Sequence, residues 1–104
     1  IMFILNAFSA NMIDRFPANV TFEEIDSEQA AMLAANATSA VGHADTAAVF
    51  SHVLQRHVPC NRLNVSLQSG DKALLGQYIG PRLPEGSTRL PKGGSVKWLV
   101  VKVS

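Results

Sequence analysis

Residues 72–103 read KALLGQYIGPRLPEGSTRLPKGGSVKWLVVKV, two apolar segments on either side of a run rich in proline and glycine. The flanking segments, Lys72–Ile79 and Val96–Val103, have the composition of β-strands. The run between them, Tyr78–Gly94, contains three prolines and four glycines, which predict a shaped loop because proline fixes φ and glycine permits positive φ. Such a long loop is usually functional or disordered. Its prolines and glycines among a few charges favour function, with an ordered excursion at the sheet edge as the alternative.

Residues 1–104 predict one domain of mixed α/β class, because the length supports one core but not two. We expect a single mixed β-sheet of about five strands with helices packed on it. The other predicted strands are Met2–Leu5, Val20–Ile25 and Arg62–Gln68, the last joined to Lys72–Ile79 by a hairpin turn at Ser69–Asp71. The predicted helices are a short one from Ser9 to about Arg15, one over Glu28–Ala37, and one from Asp45 to about Val58, with a break over Thr38–Gly42.

Both longer helices carry recognisable sequence signals. Asp26 and Gln29 have the spacing of a capping box at the start of the first helix. The second helix has one apolar stripe that faces the core, made by Phe50, Val53, Leu54 and Val58.

Composition excludes several classes of protein. Hydrophobic residues make up 47% of the chain, which is ordinary for a folded domain and argues against disorder. No apolar run approaches the roughly 20 residues of a membrane span, and the opening IMFIL lacks a basic leader and predicts a strand rather than a signal peptide. The single cysteine, Cys60, excludes an internal disulfide and is typical of a reducing compartment. We therefore expect a cytoplasmic protein with no membrane partner.

Charge is distributed unevenly along the chain. Residues 1–50 contain one basic and six acidic residues, whereas residues 51–104 contain eight basic and two acidic residues. This pattern allows a local positive pocket for a small anionic ligand, with chance segregation as the equal alternative. The formal net charge of +1 argues against a uniformly basic surface, so duplex DNA is not an expected partner.

Polar side chains follow or interrupt two of the predicted strands. Asn6, Ser9 and Asn11 come directly after Met2–Leu5, where they suit either helix and turn capping or a ligand pocket at the carboxyl end of a buried strand. Capping is the simpler explanation. Gln77 shares a strand face with apolar residues, so its amide requires a partner, either a core hydrogen bond or a ligand.

Conventional signatures are absent from the sequence, which has no P-loop, no dinucleotide fingerprint, no nucleophile elbow and no metal-ligand spacing. The remaining candidates for proton transfer are His43, just before a predicted helix, and Glu85 in the long loop. Arg62 and Arg82 are candidates for binding an anion. Taken alone, His43 is more simply an exposed loop histidine. As a set, these residues suit cleavage of an RNA phosphodiester by the substrate's own 2′-hydroxyl.

Five segments of the sequence have a distinctive order and spacing. They are NAFSANM (Asn6–Met12), VGHADTAAVF (Val41–Phe50), the pair Asn61-Arg62, GQYIGPRLPEG (Gly76–Gly86) and LPKGGSVKW (Leu90–Trp98). Together they resemble a small family from archaeal viruses and bacteria that contains the viral type III anti-CRISPR ring nucleases. No single segment is diagnostic, but the combination is specific and covers nearly the whole chain.

The resemblance implies a homodimer that binds one cyclic tetra-adenylate, the second messenger of type III CRISPR defence, at its two-fold interface. It also implies cleavage without a metal or cofactor to linear products with 2′,3′-cyclic phosphate ends, which switches off the signal. By position, His43 matches the family's catalytic histidine, the general acid, and Glu85 matches its assisting carboxylate. The matching substrate-binding positions are Asn6, Ser9, Asn11, Arg62, Gln77 and Arg82.

This chain departs from the viral members of that family after the histidine, where Ala44 and Asp45 replace polar residues. A carboxylate beside a bound phosphate weakens binding unless it points away from the ligand. Two other functions stay open on the sequence: a non-catalytic sponge that sequesters the cyclic oligonucleotide, and a DNA-binding or protein-binding regulatory module. The natural role, viral counter-defence or control of the signal by the host, is also open.

Overall fold

In the computed structural model, which describes residues 2–104, five β-strands form one mixed sheet in the order β2-β5-β4-β1-β3. β1 pairs in parallel with β3 and β4, while β5 is antiparallel to β4 and β2. The strands are β1 (Met2–Leu5), β2 (Val20–Ile25), β3 (Ala37–Ser39), β4 (Lys72–Ile79) and β5 (Ser95–Val103), the helices are α1 (Ser27–Ala34) and α2 (Ala44–Leu54), and a 3₁₀ turn covers Ala10–Met12. The expected class, one mixed sheet with helices packed on it, is confirmed.

β4 and β5 lie at the centre of this sheet. They pair from Lys72 opposite Lys102 to Ile79 opposite Ser95, so the long loop joins two neighbouring antiparallel strands. Residues 73–76 of β4 are all buried. Because successive side chains of a strand point to opposite sides of the sheet, both faces of β4 are covered. The two strands that flank the loop in the sequence are therefore confirmed, the second beginning one residue earlier than expected.

The helices cover one face of the sheet. Leu74 and Trp98 belong to the core beneath α1 and α2, where the Phe50 ring meets Trp98 edge to face with the ring centroids 4.9 Å apart. A Cβ at Gly76 would come within 2.6 Å of both rings. This strand position therefore requires glycine, because another chain element approaches its backbone closely.

Irregular segments, not helices, cover part of the opposite face. Leu5, Leu75 and Val101 form the buried centre of that core, and Met12 and Val65 pack against it from the chain segments that follow β1 and α2. The cover is incomplete towards β2, where Phe22 is 51% exposed.

The start of α1 is confirmed in detail. The Gln29 backbone N–H donates to the Asp26 carboxylate over 2.7 Å, and the Asp26 backbone N–H donates to the Gln29 side chain over 3.1 Å. The helix ends at Ala34 and not at Ala37. The reason is that Ala37–Ser39 pairs with β1 as an edge strand, so tertiary pairing overrides the helix propensity of alanine.

The apolar stripe of α2 is confirmed in part, because Phe50, Leu54 and Val58 are buried in the helix-side core. The helix itself ends at Leu54, short of the expected Val58, since Gln55 adopts a left-handed φ of 53°. The Ser51 hydroxyl then accepts a hydrogen bond from the Val58 N–H over 2.8 Å. This bond folds the chain back and buries Val58 without a helical turn.

The prediction of a strand at Arg62–Gln68 is wrong, and no hairpin joins this segment to β4. The segment is irregular apart from a single parallel bridge between Leu67 and Ile13. Alternation in this segment reflects packing over the open sheet face, where Val65 is half-buried and Leu67 buried. The fifth strand of the sheet is β3 instead.

The short helix expected from Ser9 to about Arg15 is only the 3₁₀ turn at Ala10–Met12. Ser9 occupies its N-cap position, but the hydroxyl makes no capping hydrogen bond. The chain leaves the turn at Ile13 to bridge Leu67, so the helix cannot continue. Capping does not explain the presence of Ser9.

Within residues 2–104, no helix has the length and apolar character needed to cross a bilayer.

Candidate functional site

Three residues that the sequence separates widely line one small cleft. Asn6, His43 and Arg62 surround a volume of about 210 Å³ beside the carboxyl end of β1, together with apolar residues that include Leu5 and Val65. Asn6 follows β1 directly, His43 precedes α2, and Arg62 belongs to the irregular segment after α2. The fold therefore brings a potential proton donor, a cation and an amide to one place.

His43 lies in the short segment between β3 and α2. The Ala40 N–H donates to the Ile4 carbonyl over 2.8 Å, which extends the sheet pairing past β3. His43 is then the N-cap residue of α2, with extended backbone and no capping bond from its side chain. Its imidazole is exposed. The first backbone N–H groups of a helix lack intrahelical partners and favour anions, so a phosphate beside His43 would meet both groups.

Arg62 is held beside His43 by its neighbour Asn61. The Asn61 backbone N–H donates to the Val41 carbonyl over 2.8 Å, and its side-chain amide donates to the Ser39 carbonyl over 2.8 Å. A Cβ built on Gly42 would lie 3.6 Å from Arg62 Cγ, so the arginine stem crosses the backbone next to His43. In the pair Asn61-Arg62, the asparagine anchors the segment, and the exposed arginine side chain extends from it over Gly42.

Gln77 joins a second cleft to the first. Its side-chain amide donates to the Asn6 backbone carbonyl over 3.3 Å, which supplies the partner that a polar side chain on this strand face requires. The second cleft has a volume of about 480 Å³ and is lined by both of these residues and by Ala7, Phe8, Phe22, Leu75 and Leu99. Asn6 lines both clefts, so they meet at this residue.

The loop between β4 and β5, residues 80–94, is closed at its neck. Gly80 has a φ of +142°, and a Cβ there would lie 2.7 Å from Gly94 Cα. The Tyr78 hydroxyl donates to the Pro81 carbonyl on the β4 side of the neck. Arg82 and Glu85 are both exposed on the loop beyond it.

The far side of the loop contacts the first turn of α2. The Gly86 backbone N–H donates to Asp45 Oδ1 over 3.1 Å. Gly86 follows Glu85 in the sequence, and Asp45 lies two residues after His43. The Asp45 carboxylate therefore points at the loop, and the loop that carries Arg82 and Glu85 lies at the same end of α2 as His43.

Ser9 and Asn11 are exposed on the 3₁₀ turn and line neither of these two clefts. A larger cleft, about 620 Å³, lies along the outer face of α2 and is lined by His52, Arg56 and His57 but by none of the site residues predicted from the sequence. Among the described residues, no group of three or more His, Cys, Asp or Glu side chains has the arrangement of a metal site.

The roles of Asp45 and Ser39 were missed by the sequence-based prediction. Asp45 was interpreted as a helix-start residue, and only its hydrogen bond to Gly86 reveals the contact with the loop. Ser39 is buried, and its hydroxyl donates to the Pro59 carbonyl over 2.6 Å. No local pattern in the sequence distinguishes these two residues from ordinary cap and turn residues.

Comparison with known proteins shows viral relatives over almost the full chain. A family model described as STIV B116-like matches residues 2–92. ORF116, an uncharacterised protein of Acidianus filamentous virus 1, is 27% identical over 110 residues, which cover 97% of this chain and 94% of ORF116. The solved structure of B116 from Sulfolobus turreted icosahedral virus has a TM-score of 0.79 at 26% identity, with 97% of each chain covered. The fold and the order of its elements are shared with that structure.

Proposed function

The chain belongs to the STIV B116-like family, whose relatives described above are archaeal-virus proteins, and we propose that it is a metal-independent ring nuclease. Its substrate is cyclic tetra-adenylate, bound at the two-fold interface of a homodimer in the host cytoplasm. Cleavage to linear products with 2′,3′-cyclic phosphate ends switches off type III CRISPR signalling. The observation that carries the proposal is the cleft shared by Asn6, His43 and Arg62, which stands beside the loop that bears Arg82 and Glu85.

The proposed reaction uses side chains of the clefts and of the loop. The ribose 2′-oxygen attacks the adjacent phosphorus, the bond from phosphorus to the 5′-oxygen breaks, and the product has a 2′,3′-cyclic phosphate and a 5′-hydroxyl. Glu85 accepts the proton from the 2′-hydroxyl, and His43 donates a proton to the leaving 5′-oxygen. Arg62 and Arg82 neutralise the charge that develops on the phosphate oxygens. Asn6 and Gln77 orient the ribose and base, which places the nucleophile in line.

The open sheet face supports the homodimer. Phe22 is 51% exposed, and its ring meets the half-buried Phe8 ring edge to face with the centroids 5.6 Å apart. Contiguous exposed apolar side chains typically mark an interaction surface. This one adjoins the cleft that contains Asn6 and Gln77. A two-fold axis through it would set two copies of the site against one symmetric ring, to which each subunit contributes the same residues.

The decisive experiment is incubation of the purified protein with cyclic tetra-adenylate in the presence of EDTA. We expect linear products from the wild type and none from His43→Ala, which keeps its binding affinity in calorimetry. His52→Ala is the matched control, because His52 is exposed on the same helix but lines neither the cleft with His43 nor the cleft with Gln77.

Two other results would replace this proposal. Tight binding by the wild type with no product over many hours would assign the protein as a sponge for the messenger. No binding to cyclic oligoadenylates of any ring size would favour the regulatory module that binds DNA or protein. The same titration across ring sizes identifies the preferred substrate.

A further inference from the structure

We propose that Asp45 is a positioning residue that fixes the loop carrying Arg82 and Glu85 against the first turn of α2, and so sets Glu85 relative to His43. The inference rests on the proposed function, because it gives Asp45 a part in the same reaction. Its basis is the hydrogen bond of 3.1 Å from the Gly86 N–H to Asp45 Oδ1, which joins residues 41 positions apart.

Two contacts constrain the loop internally. Its neck is closed by the contact between Gly80 and Gly94. Beyond the neck, the Ser87 N–H donates to the Pro84 carbonyl over 3.1 Å, which makes a tight turn around Glu85. Because these constraints are internal to the loop, they do not set its angle relative to the rest of the molecule.

A hydrogen bond from the loop to α2 constrains that angle. Among the hydrogen bonds of residues 2–104, the bond between Gly86 and Asp45 is the one that joins the loop to a helix. Asp45 is half-buried in the first turn of α2, whereas Arg82 and Glu85 are exposed. The acceptor therefore lies on α2, and the proposed reacting groups lie on the loop.

A simpler role for Asp45 is also available, since an acid in the first turn stabilises a helix through its dipole. The two roles differ in what they require. The dipole requires the negative charge, whereas the hydrogen bond requires only an acceptor oxygen at Oδ1. Asp45→Asn keeps that oxygen and removes the charge, and Asp45→Ala removes both. Glu28 provides a matched control, because it is the acid in the first turn of α1 and is exposed.

The test combines amide hydrogen exchange at Gly86, measured by NMR, with turnover of cyclic tetra-adenylate. In Asp45→Ala we expect exchange at Gly86 to accelerate at least tenfold and kcat/KM to fall by roughly tenfold to hundredfold, the size expected for a displacement of about 1 Å. Both kcat and KM change, because Glu85 and Arg82 are displaced together. Asp45→Asn retains most of the protection and turnover, and Glu28→Ala changes neither.

Three outcomes separate the alternatives. Equal losses in Asp45→Asn and Asp45→Ala would show that the charge on the helix matters and would overturn the proposal. Unchanged exchange at Gly86 in a folded Asp45→Ala variant would overturn it as well. Absence of turnover by the wild type would refute the proposed function and the catalytic purpose of Asp45, while the exchange rates would still decide whether Asp45 holds the loop.

Discussion

The side-chain amide of Gln77 donates a hydrogen bond over 3.3 Å to the backbone carbonyl of Asn6. The bond ties the centre of the sheet to the turn after β1, at the residue where the two clefts meet. It joins elements from opposite ends of the chain, so the geometry of Asn6 depends on β4 as well as on β1.

Replacing Gln77 with Ala removes this bond and leaves the Asn6 carbonyl without its donor. We expect a loss of about 1 kcal/mol in the free energy of unfolding, the usual value for one such bond, together with weaker binding of cyclic tetra-adenylate. Urea denaturation and calorimetry measure the two effects. Gln68→Ala, at an exposed position outside both clefts, should change neither, and equal behaviour of the two variants would contradict the assigned role of Gln77.

Replacing Arg62 with Ala should weaken binding with little effect on stability, because the side chain is exposed and only its stem packs over Gly42. Loss of a charge-assisted bond to phosphate predicts an affinity lower by about tenfold to hundredfold and a shallower dependence on salt. Binding is best measured in the His43→Ala background, where substrate persists. Arg56→Ala is the control, since Arg56 is exposed in the separate cleft along α2, and a comparable loss there would indicate nonspecific attraction.

Replacing Phe22 with Glu should convert the proposed dimer to a monomer. Burial of a phenylalanine contributes about 2 kcal/mol, and a two-fold axis applies this term twice, so the dissociation constant should rise on the order of a thousandfold. Light scattering coupled to size-exclusion chromatography reports the mass. Phe16→Glu alters a ring that is 70% exposed and lines neither cleft of the site, so it should leave the dimer intact. A dimeric Phe22→Glu protein would place the interface elsewhere.

Replacing Gly80 with Ala should displace the loop. The position has a φ of +142° and its Cβ would meet Gly94 Cα at 2.7 Å, so both strain and a clash oppose alanine, at a cost of about 1–3 kcal/mol. Turnover should fall with stability because Arg82 and Glu85 lie beyond this neck. Gly70→Ala is the comparison: its φ is +94° but nothing lies within 4 Å of the added carbon. If the two variants unfold at the same denaturant concentration and cut substrate equally, the neck contact has no consequence.

The sequence was most informative where the signal is local. The strands beside the long loop were found because an apolar run of that length needs no distant partner to be recognised, and Asp26 and Gln29 marked α1 because a capping box is complete within four residues. β3 gave no such signal. Its three residues pair with β1, and that pairing depends on a contact far along the chain. The wrong strand prediction at 62–68 has a similar cause. The apolar residues that alternate there pack over a sheet face, and this distant contact cannot be recognised from the local sequence.

Candidate residues could be selected from the sequence, but their arrangement could not. His43 was a candidate because it precedes a helix, and Glu85 because it lies in the long loop. That Arg62 lies over Gly42, next to His43, depends on the hydrogen bonds from Asn61 to Val41 and Ser39. Only the three-dimensional structure shows that Asn61 holds Arg62 in this position.

The position of β1 between β3 and β4 has a consequence for the order in which the protein matures. Residues Phe3–Leu5 pair with Ala73–Leu75, which lie in the last third of the chain. During synthesis β1 therefore completes its pairing only after β4 has left the ribosome, while pairing with β3 is possible earlier. Because Asn6 meets Gln77 only after that event, the candidate site is assembled in a late step of folding.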